Sequence, residues 1–359
     1  MTMRVLSIGS DRALFREGSA ARVRAARYAE TFGEMHVVVF SLRSHALATV
    51  HAGPLHLYPT NSRLKTLYVL DAARIARRLP ADVVTVQDPF ESGLVGLLAR
   101  RGKPLHVQLH TDPFAAQFRR SFLNRIRTLV MPHVLARATR IRVVSERIAR
   151  SLQATGYGQR AVPAVLPIYV DVARYRSAPS DAALKARFSA FKTKLLVVSR
   201  LEPEKNVKLA VSAFARVAPR DACLIIVGEG SERSLLQSFA KECACDDRIF
   251  FEGEGDPASY YKLADLVLVT SHYEGYGLVI IEALAAGTPV LSTDVGVARE
   301  AGAIVTTEEG FVDALREWLK EGPCRGELKR YPYASLDEYV QAYCDDIRAC
   351  LHTNPGITV

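Results

Sequence analysis

The sequence predicts an α/β protein made of two doubly wound, parallel-sheet domains. Short apolar segments alternate with helical segments along most of the chain, which is the pattern of repeated strand–helix units. The 359 residues exceed the size at which one hydrophobic core usually keeps growing. Because 49% of the residues are apolar, each of two domains can bury a core of its own.

The predicted elements divide at a linker that opens at Pro167. The first domain, residues 1–168, is expected to contain strands at 3–8, 35–41, 54–59, 82–86, 104–109, 139–144 and 162–166, and helices at 20–32, 63–79, 90–101, 115–137 and 145–153. The second domain, residues 169–334, is expected to alternate helices with strands at 194–199, 223–228, 248–252, 266–270 and 289–293. A Pro-containing break at 331–333 precedes a last helix, residues 335–351.

The segment 265–289, DLVLVTSHYEGYGLVIIEALAAGTP, is the first candidate for a ligand site. A strand leads into a Gly-flanked Glu274 and then into a helix that carries Glu282. The start of such a helix presents backbone N–H groups and the positive end of a dipole, which suit a diphosphate. If residues 274–282 were all helical, the two carboxylates would lie roughly 12 Å apart and could reach hydroxyls on either side of that anion. A buried strand–helix unit with no ligand gives a similar pattern.

A second strand ends in polar residues at KLLVVSRLEPEKNV, residues 194–207. Arg200 leaves the strand and Lys205 precedes Asn206, the expected N-cap of the next helix. Two cations and a helix start can bind one pair of phosphates. The alternative is that Arg200 and Lys205 pair with Glu202 and Glu204 on an exposed loop.

Together these segments resemble the donor-binding domain of the family 4 retaining glycosyltransferases of GT-B fold, which move sugars from nucleotide donors. The likeness covers about 110 residues and is carried by VVSRLEPEKN (197–206), IIVGEGSERSLL (225–236), IFFEG (249–253), YYKLADLVLVTSHYEGYGLVIIEALAAGTPVLST (260–293) and VGVARE (295–300). The resemblance implies two Rossmann-like domains that face each other across a cleft, with the C-terminal helix, residues 335–359, returning to the first domain.

The resemblance also implies roles for individual residues. Arg200 and Lys205 would hold the donor diphosphate, Glu274 would bind hydroxyls of the transferred sugar, and Glu282 would bind the ribose. The backbone of Gly275, Tyr276 and Gly277 would lie against the phosphates, and the donor site would also include Gly228, Glu229 and Leu278. After the helix that follows Glu274, the chain departs from the family pattern, because VGVAREAGAIVTTEEG has a single Gly in its first turn and a shortened tail.

Polar residues at strand ends of the first domain are the remaining candidates. His110 follows strand 104–109, at the edge where parallel sheets bind ligands, and the resemblance places a His near the donor sugar. A structural loop histidine is the alternative. Gly9 lies in the first strand–helix turn, where backbone can approach a phosphate or a sugar. Acceptor contacts are predicted for Ser10, Asp11, Arg12, Asp88 and Asp112, although Asp88 in an Asp-Pro turn could serve only to start a helix.

The predicted chemistry requires no metal and no cofactor beyond a nucleotide-sugar cosubstrate, UDP- or GDP-linked. No Asp-x-Asp occurs in the sequence, so a divalent ion bound as in metal-dependent transferases is not expected. The resemblance implies transfer with retention of configuration to a glycan or a lipid-linked acceptor. Two rivals stay open at this point: a hydrolysing nucleotide-sugar epimerase of the same fold, and a non-enzymatic binding protein.

Positive charge is concentrated in the first domain. Residues 1–170 hold 25 Lys and Arg against 10 Asp and Glu, whereas the rest of the chain holds 22 against 28. Phe118, Phe122, Ile126, Leu129 and Val130 recur at helical spacing, bordered by Arg119, Arg120, Arg125 and Arg127, which predicts a basic amphipathic helix over residues 115–130. Such a helix can lie on an anionic membrane. The alternative is that the helix packs on the core and exposes its basic face to solvent. A nucleic-acid surface is not expected, because no nucleic-acid-binding motif accompanies this helix.

The cysteines and the amino terminus indicate a cytoplasmic protein, with peripheral attachment to the inner face of the membrane as an open possibility. The six Cys are scattered without a CxxC pair, and the chain starts with a strand-like segment rather than a leader peptide. No apolar run approaches the 18 residues or more that a membrane-spanning helix needs. The cysteines are therefore expected to be reduced thiols.

Overall fold

A computed structural model describes residues 2–115, 118–157 and 163–352. The chain folds as two units, one of residues 1–167 together with 335–359 and the other of residues 168–334. The boundary lies one residue from the predicted one. The predicted positions 116–117, 162 and 353–359 lie outside the described residues, as does the side chain of Arg120.

The first unit is built on an eight-stranded sheet in the order β3-β4-β2-β1-β5-β6-β7-β8. Its strands are Met3–Gly9 (β1), Gly33–Val39 (β2), Val50–Ala52 (β3), Leu55–Pro59 (β4), Val83–Val86 (β5), Leu105–Leu109 (β6), Arg140–Val143 (β7) and Ala164–Val165 (β8). The strand pairs are parallel except β3 with β4, a short antiparallel edge that the sequence did not predict. The strand order reverses direction between β1 and β5, where parallel sheets of this kind bind ligands.

The helices of the first unit cover both faces of this sheet. They are Ala20–Phe32 (α1), Tyr68–Ala76 (α2), Glu91–Ala99 (α3), Phe122–Leu135 (α4), Glu146–Ala154 (α5) and Leu336–His352 (α14). Helix α14 returns from the far end of the chain and buries Val340, Tyr343 and Ile347 in the same core as residues of β1, β2 and α1. Burial of each large apolar side chain stabilises the fold by roughly 1.5–3 kcal/mol, so α14 is an integral part of this unit.

The second unit is built on a six-stranded parallel sheet in the order β11-β10-β9-β12-β13-β14. Its strands are Thr193–Val198 (β9), Ala222–Val227 (β10), Ile249–Gly253 (β11), Leu266–Val269 (β12), Val290–Thr293 (β13) and Ile304–Thr306 (β14). Its helices are Val172–Ser177 (α6), Ala182–Arg187 (α7), Val207–Val217 (α8), Arg233–Glu242 (α9), Ala258–Leu263 (α10), Leu278–Ala286 (α11), Ala298–Ala301 (α12) and Phe311–Glu321 (α13). The strand order reverses between β9 and β12. The predicted class, α/β with two Rossmann-like units, is confirmed.

A buried polar network fixes α14 to the sheet of the first unit. Asp346 accepts hydrogen bonds from His106 Nε2 at 2.9 Å and from Arg140 Nε. Arg142, which is 1% exposed, donates to Gln108 Oε1 at 2.8 Å and to the Tyr339 hydroxyl at 3.1 Å. Buried charges are stable only when they are paired in this way. Arg140 and Arg142 therefore use their positive charges in structural contacts within this unit.

The predicted helix over residues 115–137 is shorter than expected. Phe118–Arg120 form a separate 3-10 turn, and α4 begins only at Phe122 after Ser121, whose extended backbone precedes the helix. Phe118 is buried, but Phe122 and Leu129 are 77% and 72% exposed. The apolar residues expected on one face are thus divided between the core and the surface. Similarly, the helix predicted at 63–79 is a 3-10 turn, Lys65–Leu67, followed by α2.

Candidate active site

The strongest candidate site lies where the strand order of the second unit reverses. The loop after β9 carries Arg200 and Lys205, and the loop after β12 carries Ser271 and Glu274. Because the carboxyl ends of neighbouring parallel strands lie at one edge of the sheet, these two loops meet. The Thr270 hydroxyl donates to the Lys205 carbonyl at 3.1 Å, and the His272 N–H donates to the Glu204 carbonyl at 2.9 Å.

At this junction Lys205 and Glu274 form a half-buried ion pair. Lys205 Nζ lies 2.6 Å from Glu274 Oε1, and their side chains are 17% and 18% exposed. The Ser271 hydroxyl donates to the same carboxylate oxygen at 2.8 Å. A charge-assisted contact of this length, partly shielded from water, holds both side chains in defined positions. The site therefore presents a cation and a carboxylate side by side at a strand end.

Arg200 takes a different partner from Lys205. Its Nη2 lies 2.8 Å from Glu204 Oε1, and its side chain is 69% exposed. The alternative pairing considered from the sequence is therefore correct for Arg200 and wrong for Lys205. An exposed ion pair contributes roughly 0–1 kcal/mol, so a phosphate can displace Glu204 at low cost.

An open cavity of about 590 Å³ adjoins these loops. It is lined by residues from the ends of β9, β10 and β11 and from the first turn of α11: Val198, Ser199, Arg200, Val227, Gly228, Glu229, Glu254, Gly255 and Val279. Its volume is in the range of small-molecule sites. Three predicted donor residues, Arg200, Gly228 and Glu229, thus share one cavity. The side chain of Glu229 also pairs with Arg233.

Two glycines let the loops around this cavity approach one another. A Cβ on Gly228 would lie 1.8 Å from the Ser199 carbonyl oxygen, and its φ of +138° is strained for other residues. A Cβ on Gly296, which follows β13, would lie 2.2 Å from the Tyr276 carbonyl oxygen. Val297 N–H donates to that same carbonyl at 2.9 Å. The turn 295–300 therefore fixes the loop that bears Glu274.

The amino terminus of α11 has no side-chain cap. Gly277 is the N-cap residue, with a left-handed φ of +92°, and Leu278 is the first helical residue. The first N–H groups of a helix have no partner inside the helix, and no Ser, Thr or Asp occupies the N-cap here. Because α11 is nine residues long, its dipole adds positive potential at this end. The start of α11, at Gly277 and Leu278, can therefore bind an anion through its backbone.

Glu282 contacts helices α6 and α10, whereas Glu274 contacts the loop after β9. Its Oε2 accepts a hydrogen bond from the Tyr261 hydroxyl of α10 at 2.8 Å, and the Tyr175 hydroxyl of α6 also bonds to it. Burial raises the pKa of Glu282, and the two tyrosine hydrogen bonds only partly oppose this rise. The protein's own hydroxyls thus already hold and orient this carboxylate.

In the first unit, Gly9 is the last residue of β1, and Gln87 and His110 follow the neighbouring strands β5 and β6. His110 Nε2 lies 3.1 Å from Gln87 Oε1, and a Cβ on Gly9 would lie 2.8 Å from Gln87 Cγ. Burial and then the positive charge of Arg142 lower the pKa of His110 to about 3. The ring is therefore neutral at neutral pH. It can orient a hydroxyl but is too weak a base to hold a proton there.

The predicted acceptor residues mostly have structural partners. Asp11 Oδ1 accepts from the Ala13 N–H at 3.0 Å and so caps the 3-10 turn that follows β1. Asp88 Oδ1 accepts from the Phe90 and Ser92 N–H groups at 2.7 and 3.3 Å, as expected of an Asp-Pro turn that starts a helix.

Asp112 is 6% exposed and accepts from the Phe114 N–H at 2.9 Å and the Ser151 hydroxyl at 3.0 Å. Only Ser10 and Arg12 are exposed without a capping role.

Sequence reasoning missed several residues of both sites. Ser271 bonds to Glu274, the cavity is also lined by Glu254, Gly255 and Val279, and Gln87 contacts His110. Ser271 and Gln87 each come shortly after an apolar strand, as His110 does. The argument that selected His110 would therefore also have selected these two residues. Nothing in the local sequence marks Val279, because it contributes through its place in the first turn of α11.

Two family models together match most of the chain. The model described as "Glycosyltransferase Family 4" matches residues 12–174, and the one described as "Glycosyl transferases group 1" matches residues 185–334. The first match corresponds to the unit that holds His110, and the second to the unit that holds Lys205, Glu274 and Glu282.

Individual relatives agree with these matches. The chain is 33% identical over 245 residues to a 2-deoxystreptamine glucosyltransferase of Streptomyces kanamyceticus, covering 63% of each chain. It is 27% identical to an alpha-monoglucosyldiacylglycerol synthase of Streptococcus pneumoniae, covering 62% of this chain and 54% of that one. The chain thus spans less than two thirds of the length of these curated relatives. The crystal structure of Anabaena HepE with UDP and glucose has the same fold, with a TM-score of 0.67 at 20% identity over 99% of this chain and 98% of that one.

Proposed function

Because the chain belongs to family 4 of the GT-B glycosyltransferases, we propose that it transfers a sugar from a nucleotide-sugar donor to a glycan or a lipid-linked acceptor. The observation that carries this proposal is the Lys205–Glu274 pair, 2.6 Å apart, from segments 69 residues apart in the sequence. The pair stands at a strand end beside the uncapped start of α11. The names of the reported relatives describe transfer or synthesis, so the epimerase alternative is not favoured.

The donor diphosphate would bind in the second unit. Lys205 would contact one phosphate, Arg200 would exchange Glu204 for the other, and the N–H groups of the segment 275–278 would complete the site. Glu274 would accept hydrogen bonds from hydroxyls of the transferred sugar, and Glu282 from those of the ribose. The base would be uracil or guanine, and a structural relative solved with UDP supports the first choice.

Catalysis would come from stabilising the charge that develops on the leaving diphosphate. The bond between the anomeric carbon and the diphosphate oxygen breaks, and the acceptor oxygen bonds to that carbon from the same face. The acceptor proton passes to the departing diphosphate oxygen. Arg200, Lys205 and the α11 dipole bind the leaving group more tightly in the transition state than in the ground state. This account needs no metal, and it gives His110 the role of orienting a hydroxyl.

A panel of nucleotide sugars tests this function. Thermal unfolding would be followed with UDP- and GDP-linked sugars, and the donor that raises the midpoint would be incubated with glycan and glycolipid acceptors. We expect transfer with retained anomeric configuration, read by NMR of the product, at a rate unchanged by a chelator. Nucleotide release at full rate without any acceptor would contradict the proposal, as would unfolding midpoints that no nucleotide sugar changes.

We further propose that helix α4 attaches the protein to anionic membranes. Its exposed apolar residues are Phe122, Leu123, Ile126 and Leu129, at 77%, 52%, 44% and 72% exposure. Arg119 and Arg125 are exposed beside them, whereas Arg127 is bound to Glu91 of α3 at 2.9 Å. No helix among the described residues is long and apolar enough to cross a bilayer. The name of the streptococcal relative includes a diacylglycerol lipid, which supports a membrane-borne acceptor.

Vesicle sedimentation tests this attachment. Each large apolar side chain that enters the bilayer contributes roughly 1.5–3 kcal/mol, so the double substitution Phe122→Ser and Leu129→Ser should weaken binding by a factor of about 100 or more. Leu70→Ser is the matched control, because Leu70 is 60% exposed on α2. Phosphatidylserine-containing vesicles should bind the wild type better than neutral ones. Equal binding by the double variant would contradict the proposal.

A further inference from the structure

Three potential metal ligands converge in the first unit, at the opposite end of the strands from Gly9 and His110. Glu34 and His36 lie on β2 and His56 lies on the neighbouring strand β4. Residues two apart on a strand point to the same face, and His36 is the direct cross-strand partner of His56. Glu34 and His36 are near the amino end of β2, opposite to the carboxyl ends that carry Gly9 and His110.

We propose that Glu34, His36 and His56 bind a Zn²⁺ ion. One ligand atom from each residue lies within 4.8 Å of the other two. His36 Nε2 is 3.2 Å and His56 Nε2 is 3.5 Å from Glu34 Oε1. Zinc ligands at about 2.0–2.1 Å in a tetrahedron lie about 3.3 Å from each other, so these spacings leave room for the ion. Two imidazoles and one carboxylate are a donor set that zinc uses, with water in the fourth position.

The contacts inside the cluster are not explained by hydrogen bonding alone. His36 is 4% exposed, and its Nε2, which lies 3.2 Å from Glu34 Oε1, has no geometrically formed hydrogen bond. The lone pairs of a carboxylate oxygen and of unprotonated ring nitrogens this close repel one another unless a proton or a metal cation lies between them.

The other nitrogen of each imidazole is held by a second residue. His36 Nδ1 lies 3.2 Å from the Tyr58 hydroxyl, and His56 Nδ1 lies 2.9 Å from His51 Nδ1 on β3. Metal-bound histidines usually donate their second ring N–H to such a partner, which fixes the ring and its tautomer. Both Nε2 atoms are thereby directed towards Glu34. Tyr58 and His51 are positioning residues for the site.

An ion can enter and leave this site from the solvent. The side chains of Glu34 and His56 are 34% and 19% exposed, while His36 closes the inner side. A bound Zn²⁺ would join β2 to β4 next to the short antiparallel edge formed by β3. It would therefore stabilise this edge of the sheet, a role separate from sugar transfer.

Zinc titration of the full-length protein after chelator treatment tests the proposal. We expect one Zn²⁺ per chain by calorimetry and a rise in the thermal unfolding midpoint. His56→Gln or Glu34→Gln should each weaken binding by a factor of about 100, and His51→Ala by about 10–100. Because His36 is buried, the His36→Gln protein can fail to fold. The Glu34→Gln and His56→Gln variants then test the proposal, since these two side chains are more exposed.

The control variant is His133→Gln, which removes an exposed histidine from α4 and should leave zinc affinity unchanged. Substitution by Co²⁺ separates this site from the cysteines, since the proposed ligands give a visible spectrum without thiolate charge-transfer bands. Absence of saturable binding would overturn the proposal. Unchanged affinity in both Glu34→Gln and His56→Gln, or thiolate bands in the cobalt spectrum, would do the same. Each of these outcomes is independent of transfer activity.

Discussion

Replacing Lys205 by Ala is expected to lower kcat/KM for sugar transfer by a factor of roughly 10²–10³, a loss of about 3–4 kcal/mol of transition-state stabilisation. Lys205 Nζ is the charged group nearest to Glu274 and lies in a partly shielded position. Its charge would act on the leaving diphosphate, so the loss should fall on kcat as well as on KM. Steady-state kinetics with the donor identified by the nucleotide-sugar panel measures both.

The controls separate a lost charge from a damaged fold. Lys192→Ala removes another lysine of the second unit, 85% exposed, and should leave the kinetics unchanged. Glu274→Gln keeps the shape of the side chain but removes the ion pair, and should also lower kcat, whereas Glu242→Gln on the exposed side of α9 should not. Near-normal kcat/KM in a folded Lys205→Ala protein would refute the assignment.

Replacing Asp346 by Ala is expected to destabilise the protein by about 3–5 kcal/mol. The side chain of Asp346 is 2% exposed and bonds to His106 and Arg140. Its removal leaves the charge of Arg140 and a buried imidazole N–H without their acceptor. Thermal unfolding should shift down by roughly 6–20 °C, given about 2–4 °C per kcal/mol for a unit of this size.

The neighbouring residue supplies the matched control. Asp345 is exposed on the same helix and contacts Arg348 and Gln341, so Asp345→Ala should change stability by less than about 0.5–1 kcal/mol. An Asp346→Ala midpoint equal to that of the Asp345 variant would show that the network does not hold α14 in place.

The hydrogen bonds of Asp346 to His106 and Arg140 also make the stability of the wild type sensitive to acid. Burial lowers the pKa of His106. Burial alone would raise the pKa of Asp346, but His106 and Arg140 outweigh it and lower it. His106 and Asp346 therefore both bind protons more readily in the unfolded chain than in the folded protein. The free energy of unfolding that they contribute is fully present at neutral pH and is lost as the pH falls. The loss should begin below the ordinary histidine pKa of about 6.5 and continue below the ordinary aspartate pKa of about 3.9.

The sequence predicted the fold, and it selected Lys205 and Glu274 as separate candidates that the structure brings into contact. Lys205 and Glu274 each follow a buried parallel strand, and the reversal of strand order between β9 and β12 brings their loops together. Periodicity identifies the strands, and the position after a strand end identifies the edge of the sheet. The partner of Arg200 could not be chosen, because Glu202 and Glu204 were both within reach.

Features that depend on packing between distant segments were not predictable in the same way. The bonds of Asp346 to β6 and β7 span 240 and 206 residues, and no local pattern indicates them. The apolar residues of α4 have the spacing of a core-facing helix, yet Phe122 and Leu129 are exposed.

The absence of a metal site was predicted from motif spacing along the chain. Glu34, His36 and His56 come together only through the pairing of β2 with β4. The proposed ligand set has no linear signature, because its members are brought together by strand pairing.

A crystal structure of the protein with an intact nucleotide sugar tests the central claim most directly. The account predicts that the diphosphate lies at the start of α11, with its oxygens within hydrogen-bond distance of Lys205 and of an Arg200 released from Glu204. A hydroxyl of the transferred sugar should lie on Glu274. A nucleotide sugar bound elsewhere, or bound here with Lys205 and Glu274 out of contact with it, would contradict the account.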